Sequence, residues 1–190
     1  MTGYADYLFL LSPPEEVKLE IDRYKRASAR LIGQYASMNS PAHISLAQVE
    51  RQKPFFADST IQRMELGFNT IPPVQLYIDG FKYFTHLHNK HTIYAAIRIT
   101  PAVDEWLISI RKVLGIKKAI IPHITVVRNI NVEYFNTLWP HFRHKQLVMP
   151  FFVSEIKVVK RETFANQPKW EAYKTFRFGG KIMTVVNNLK

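Results

Sequence analysis

Two short stretches hold the side chains best suited to chemistry. Ala42-His43-Ile44-Ser45-Leu46 and Pro122-His123-Ile124-Thr125-Val126 both read apolar, histidine, apolar, hydroxyl, apolar, and their histidines stand 80 positions apart in a chain of 190 residues. An imidazole titrates near neutral pH, so one histidine can accept a proton while a second donates one. Hydroxyls placed beside them can donate hydrogen bonds to developing negative charge. On a β-strand alternate side chains share a face, with a rise of about 3.3 Å per residue. His43 and Ser45 then point the same way, as do His123 and Thr125, while Ile44, Leu46, Ile124 and Val126 point into a core. Two such pairs facing one another would suit proton transfer around a phosphate. A half-buried strand with a polar face explains either stretch alone; the duplication favours a site.

The flanking sequence repeats as well. Tyr7–Leu11 reads as a buried strand. Ser12, Pro13 and Pro14 open a helix with Glu15 and Glu16 in its first turn, and Gly33 closes it. Pro41 leads into the first histidine strand, His43–Val49. A loop or short helix is expected over Arg51–Thr60, a strand over Gln62–Thr70 and another over Val74–Ile78, with Asp79-Gly80 as a hairpin signal. The segment from His86 to His91 reads as an exposed turn. Thr92–Ile99 then restarts the pattern as a strand. Thr100-Pro101 opens a helix that Gly115 stops, and Pro122 introduces the second histidine strand. Asn131–His144 is helical with Asn131 as cap and a kink at Pro140. Phe151–Lys160 reads as one long strand, and Trp170–Phe178 as a last strand or short helix.

These elements divide the chain into repeat-like halves, about 7–84 and 93–161, within one bilobal domain spanning 1–190. The expected fold class is α+β: two pseudo-symmetric lobes, each an antiparallel β-sheet with outer helices, around a central cleft. Clefts between lobes are favoured ligand sites.

Composition narrows the partners. The net charge of +11 favours polyanions, nucleic acid or nucleotides among them. Without cysteine there are no disulfides, no thiolate metal ligands and no cysteine nucleophile, which suits a reducing cytoplasm. No apolar run reaches the roughly 20 residues that span a bilayer, and the first residues lack the basic start of a secretory signal.

At His43-Ile44-Ser45 and His123-Ile124-Thr125 the sequence resembles the two-histidine (2H) phosphoesterase superfamily, the LigT-like or 2′-5′ RNA ligase family, whose signature is two H-x-[ST]-x motifs between apolar residues. Val126-Val127-Arg128 is similar to the continuation of that family's second motif. Asp79-Gly80-Phe81-Lys82-Tyr83-Phe84 looks like the strand before its second lobe, and Lys157–Arg161 with Trp170–Phe178 like its closing strands. Ser45 stands where threonine is common, and Val49-Glu50-Arg51 replaces a frequent Phe-Leu-Gly. The resemblance implies a metal-independent 2′,3′-cyclic phosphodiesterase acting on RNA ends or nucleotides, with reversible 2′-5′ RNA ligation at the same site. His43, Ser45, His123 and Thr125 would be catalytic. Arg128, Tyr83 and Tyr94 would bind substrate, with Phe84 a further stacking candidate and Lys82, Lys160 and Arg161 candidate cleft cations. No cofactor and no metal is expected; the partner is RNA with a 2′,3′-cyclic phosphate end or a small cyclic-phosphate nucleotide, met by a cytoplasmic monomer.

Two other readings compete. The same fold could be a catalytically silent module that binds RNA or a nucleotide through charge and aromatics. Alternatively His86, His88 and His91 could hold Zn²⁺ in a hydrolase, although Lys90 puts a positive charge inside that cluster and no acidic residue completes it.

Overall fold

The computed structural model describes residues 3–181. Its eight strands are β1 (Ala5–Leu11), β2 (Ile44–Gln52), β3 (Val74–His86), β4 (Lys90–Ile97), β5 (His123–Ile130), β6 (Val148–Val153), β7 (Glu155–Glu162) and β8 (Glu171–Arg177). The four α-helices are α1 (Glu15–Ile32), α2 (Pro54–Phe68), α3 (Pro101–Leu114) and α4 (Val132–Phe142). The protein is α+β, with strand order β6-β3-β4-β5-β2-β1-β7-β8 and every pairing antiparallel.

The sheet is two four-stranded arms joined at one place. Between β2 and β5 the ladder consists of the single pair Ile44↔Ile124. The arms are not the two halves of the chain: β3 belongs with β4, β5 and β6, whereas β7 and β8 return to β1 and β2. The repeat-like halves 7–84 and 93–161 therefore exchange their last strands. Tyr7, Phe9, Leu11, Ile44, Ile124 and Val126 share a core with Val17 and Ile21 of α1, Ile61 of α2, Trp106 and Ile110 of α3, and Leu138 of α4. The other face of the strands is left for the cleft.

Several local expectations hold for the reasons that suggested them. Thr100 caps α3 by accepting the Val103 N–H, and Asn131 caps α4 by accepting the Tyr134 N–H. Gly33 and Gly115 end α1 and α3 at φ of 79° and 67°, a backbone conformation that costs glycine little. Ser12 does not cap α1; Pro14 holds that position without a side-chain bond.

Three expectations are corrected. Gln62–Thr70 is not a strand but the second half of α2. Met64, Leu66 and Phe68 alternate as they would on a strand, yet Leu66 is 78% exposed, and the buried residues Ala57, Ile61 and Phe68 follow a helical spacing. Asp79-Gly80 is a β-bulge inside β3 rather than a hairpin: Ile78 faces Ile97 and Phe81 faces Ala95, leaving two residues opposite one. Gly80 takes φ 69° there and donates its N–H to the Leu147 carbonyl at 2.9 Å. Finally, Phe151–Lys160 is two strands. The break falls at Ser154, whose carbonyl accepts the Phe178 N–H at 2.9 Å, and the chain passes there from one arm to the other.

The helical reading of α2 predicts very different costs two residues apart. Phe68 is fully buried against Phe176 at 5.3 Å, so Phe68→Ala should lose about 3–5 kcal/mol of unfolding free energy. Leu66→Ser should stay within about 0.5 kcal/mol. Urea denaturation of both variants checks this; equal losses would mean that Leu66 and Phe68 share a buried face.

Candidate active site

The sheet register brings the two motifs together. In an antiparallel pair centred on Ile44↔Ile124, His43 lies across from Thr125 and Ser45 across from His123. All four side chains occupy the face opposite the two buried isoleucines. The result is a local pseudo-two-fold arrangement of two imidazoles and two hydroxyls. They line a cleft of about 930 Å³ together with Phe84, Arg128, Lys25, Lys157, Arg161 and Trp170.

Each imidazole is held in the same way. His43 Nδ1 lies 2.8 Å from the Pro41 carbonyl oxygen, and His123 Nδ1 lies 2.7 Å from that of Ile121. A carbonyl only accepts, so Nδ1 carries the proton and donates it in both rings. In the neutral ring Nε2 keeps its lone pair, and among the described residues neither Nε2 has a protein partner. Both residues hold below the ordinary histidine pKa of about 6.5. For His43 burial is the main cause; the Pro41 bond opposes it, and the positive charges of Lys25 and Arg128 add to it. For His123 burial again leads, opposed by the Ile121 bond and reinforced by His43 and Arg128. The burial of His123 comes from Phe84 and Tyr94, whose ring centres both lie 5.0 Å from its own.

Arg128 reaches the cleft because β5 bulges. Tyr94 pairs with Thr125 and Ile93 with Val127, so Val126 is an extra residue; Val126 and Val127 are both buried, and Arg128 moves to the face of Thr125. A second bulge follows, where Arg128 and Asn129 together oppose Thr92 between the pairs Ile93–Val127 and His91–Ile130. Asn129 takes φ 56°. The N–H groups that leave the ladder find side-chain acceptors: Arg128 N–H donates to Ser37 Oγ at 3.0 Å and Asn129 N–H to Thr92 Oγ1 at 3.1 Å.

The aromatic candidates separate by face. Phe84 lines the cleft and stacks on Tyr94 at 4.3 Å. Tyr94 is 6% exposed and supports Phe84 from beneath, without lining the cleft itself. Tyr83 does not belong to the site. It alternates to the helix side of β3 and packs on Phe135 and Trp139 of α4 at 4.8 and 4.9 Å. Of the candidate cations Arg161 lines the cleft. Lys82 does not, and Lys160 lies over the rings of Tyr7 and Tyr173 on the core side of its arm. The histidines of the β3–β4 turn do not gather either. His86 hydrogen-bonds Thr92, His91 stacks on Phe135 at 4.2 Å, and His88 sits in the turn at φ 58°. Among the described residues no three His, Asp or Glu side chains group as metal ligands.

Lys25 escapes a reading of motifs alone. It is 2% exposed, donates to the Ser40 carbonyl just before Pro41 and lines the cleft. Burial lowers its pKa, with Asp22 opposing. Its sequence signal is its place in the buried stripe Val17, Ile21, Lys25, Ser28, Ile32. A lysine on such a stripe is rare unless its ammonium is satisfied.

The sequence model of the 2′-5′ RNA ligase superfamily matches residues 13–163. Solved structures of three proteins, among others, share the fold. Escherichia coli LigT, in complexes with phosphate and with 3′-AMP, superposes with TM-scores of 0.61 and 0.62 at 13% identity, covering 93% and 92% of this chain and 98% of LigT. TT0787 of Thermus thermophilus gives a TM-score of 0.64 at 15% identity, over 93% of this chain and 100% of that one. Kluyveromyces marxianus Usb1 gives 0.51 at 10% identity, over 90% and 99%. No curated protein sequence matches the chain significantly. Among the described residues no helix is long and apolar enough to cross a membrane.

The environment of the imidazoles predicts their titration. In proton NMR both should show midpoints below 6.5, and Lys25→Met should raise that of His43 more than that of His123, because the lysine charge bears on His43. The unfolded chain binds protons at these residues more readily than the folded one. They are therefore neutral to stability above about pH 6.5 and destabilise the fold increasingly below it. Unchanged midpoints in Lys25→Met would remove the lysine from the electrostatics of the site.

Proposed function

The chain belongs to the 2′-5′ RNA ligase superfamily, and from that premise we propose that it is a metal-independent 2′,3′-cyclic phosphodiesterase acting on RNA ends or nucleotides. The observation that carries this reading is the matched pair of imidazoles, each tied through Nδ1–H to the carbonyl two residues earlier and each presenting Nε2 to a shared cleft. Ring opening of a cyclic phosphate needs a base to take a proton from water and an acid to protonate the departing ribose oxygen. With one ring neutral and the other protonated, His43 and His123 supply both groups from opposite sides of the phosphorus. Their lowered pKa values favour the neutral ring that the base requires, and leave the proton on the second ring weakly held.

Ser45 and Thr125 would donate hydrogen bonds to the non-bridging oxygens, where negative charge grows in the transition state. Arg128 would offset that charge from the bulge in β5, and Lys25 would add a second cation beside His43. The fold neighbour LigT is known in complexes with phosphate and with 3′-AMP, which supports a phosphate-bearing nucleotide as ligand here. Phe84 would stack on its base. With a 5′-hydroxyl in place of water as the nucleophile, the same groups would open the ring to form a 2′-5′ linkage, the ribose 3′-oxygen again leaving with a proton from the acid. The reverse of that step would cleave the linkage. Residues 1–190 would act as one bilobal unit, since the motifs come from different arms.

Turnover of 2′,3′-cyclic AMP in the presence of EDTA tests the reading. Wild type should release a 2′-phosphate, and His43→Ala and His123→Ala should each lower kcat by at least about a hundredfold. Activity lost on chelation would sink the mechanism. Binding of the nucleotide without turnover would instead favour the silent module.

A further inference from the structure

The cleft continues past the four motif residues onto the arm formed by β1 and β7. Lys157, Val159 and Arg161 alternate on its open face beside Leu8 and Leu10. Asp6 anchors Arg161: it is 3% exposed and accepts hydrogen bonds from Arg161 Nε at 2.9 Å, Thr163 Oγ1 at 2.8 Å and the Arg51 N–H at 3.0 Å. Burial alone would raise its pKa, yet these three donors hold it below the usual carboxylate value. The guanidinium so fixed lies over the indole of Trp170, 4.5 Å from the ring centre. Trp170 keeps 36% of its surface exposed and lines the cleft. Among the described residues the terminal guanidinium nitrogens meet no acceptor.

This platform mirrors Phe84 in position. Phe84 stands on β3, two strands out from His123 on β5; Arg161 stands on β7, two strands out from Ser45 on β2. Five strand spacings of about 4.8 Å separate β3 from β7 along the sheet. A nucleotide whose base rests on Phe84 and whose phosphate lies between the histidines does not also occupy the far arm. We propose that the Arg161–Trp170 platform is a second nucleoside subsite, so that the preferred substrate is an RNA of at least two nucleotides rather than a cyclic mononucleotide. A base would stack on Trp170, and Lys157 with the free guanidinium nitrogens would take a backbone phosphate. The proposal rests on the phosphodiesterase reading above and adds the substrate's length to it.

The test compares kcat/KM for a trinucleotide ending in a 2′,3′-cyclic phosphate with kcat/KM for 2′,3′-cyclic AMP. Wild type should prefer the trinucleotide; Trp170→Ala should reduce that preference about tenfold, and Trp170→Phe should restore most of it. Equal loss on both substrates, or loss on neither, would overturn the subsite. Should wild type turn over neither substrate, the phosphodiesterase reading fails and tryptophan fluorescence still decides this one. Quenching by the trinucleotide that vanishes in Trp170→Phe would support the subsite. Quenching that persists there, that is absent in wild type, or that cyclic AMP matches would overturn it.

Discussion

One backbone pairing carries the architecture of the site. Among the described residues the two arms of the sheet pair only where Ile44 opposes Ile124, at the starts of β2 and β5. Because the strands are antiparallel and start at that point, they diverge immediately, and the cleft opens between them. The side-chain period of two then puts both isoleucines in the core and both histidines, with their hydroxyl partners, on the open face. A slip of one residue would bury the imidazoles and expose Ile44 and Ile124, both fully buried. Hydrophobic burial of those two side chains, at roughly 1.5–3 kcal/mol each, thus sets the register on which the polar geometry depends.

Cations outnumber carboxylates in the cleft: Lys18, Lys25, Arg128, Lys157 and Arg161 line it beside Glu50. Lys25 and Arg128 oppose protonation of His43, and Arg128 opposes that of His123, which burial already disfavours. A polyanion entering would relieve the repulsion. The buried carboxylate of Asp6 orients Arg161 rather than facing the ligand. Anchoring a guanidinium in this way lowers the side-chain entropy lost when it meets a ligand.

Irregular backbone supplies what regular strands would withhold. The bulge at Val126 turns Arg128 toward the cleft, and at the next bulge Ser37 and Thr92 accept the N–H groups of Arg128 and Asn129. Ser37 belongs to the segment between α1 and β2 that also holds Tyr35, whose hydroxyl lies 3.1 Å from the Lys25 carbonyl and 3.3 Å from that of Val126. That segment therefore ties α1 to β5 and crosses the join between the arms. The bulge at Asp79-Gly80 shifts the later part of β3 by one residue, and Phe84 beyond it faces the cleft while Tyr83 packs on α4.

Residue order alone was enough for the parts that depend on local physics: the alternation of the two histidine strands, the capped starts of α3 and α4, and the glycine stops of α1 and α3. That His43, Ser45, His123 and Thr125 share one cleft was legible because a repeated motif stands out against apolar flanks, and Arg128 was singled out by its likeness to the family's continuation of the second motif. Contacts between distant segments were not. Leu66 and Phe68 look alike in the chain, and only packing against β8 buries one and exposes the other. Tyr83 and Phe84 are adjacent aromatics that a bulge and the pleat assign to opposite faces. Lys25 and Asp6 lie outside any motif, and their importance arises from Ser40 and Arg161, partners 15 and 155 residues away in the chain. The exchange of β3 and β7 between the arms follows from which edges each strand could pair with, a choice that pairing energies make across the whole sheet and that no local pattern encodes.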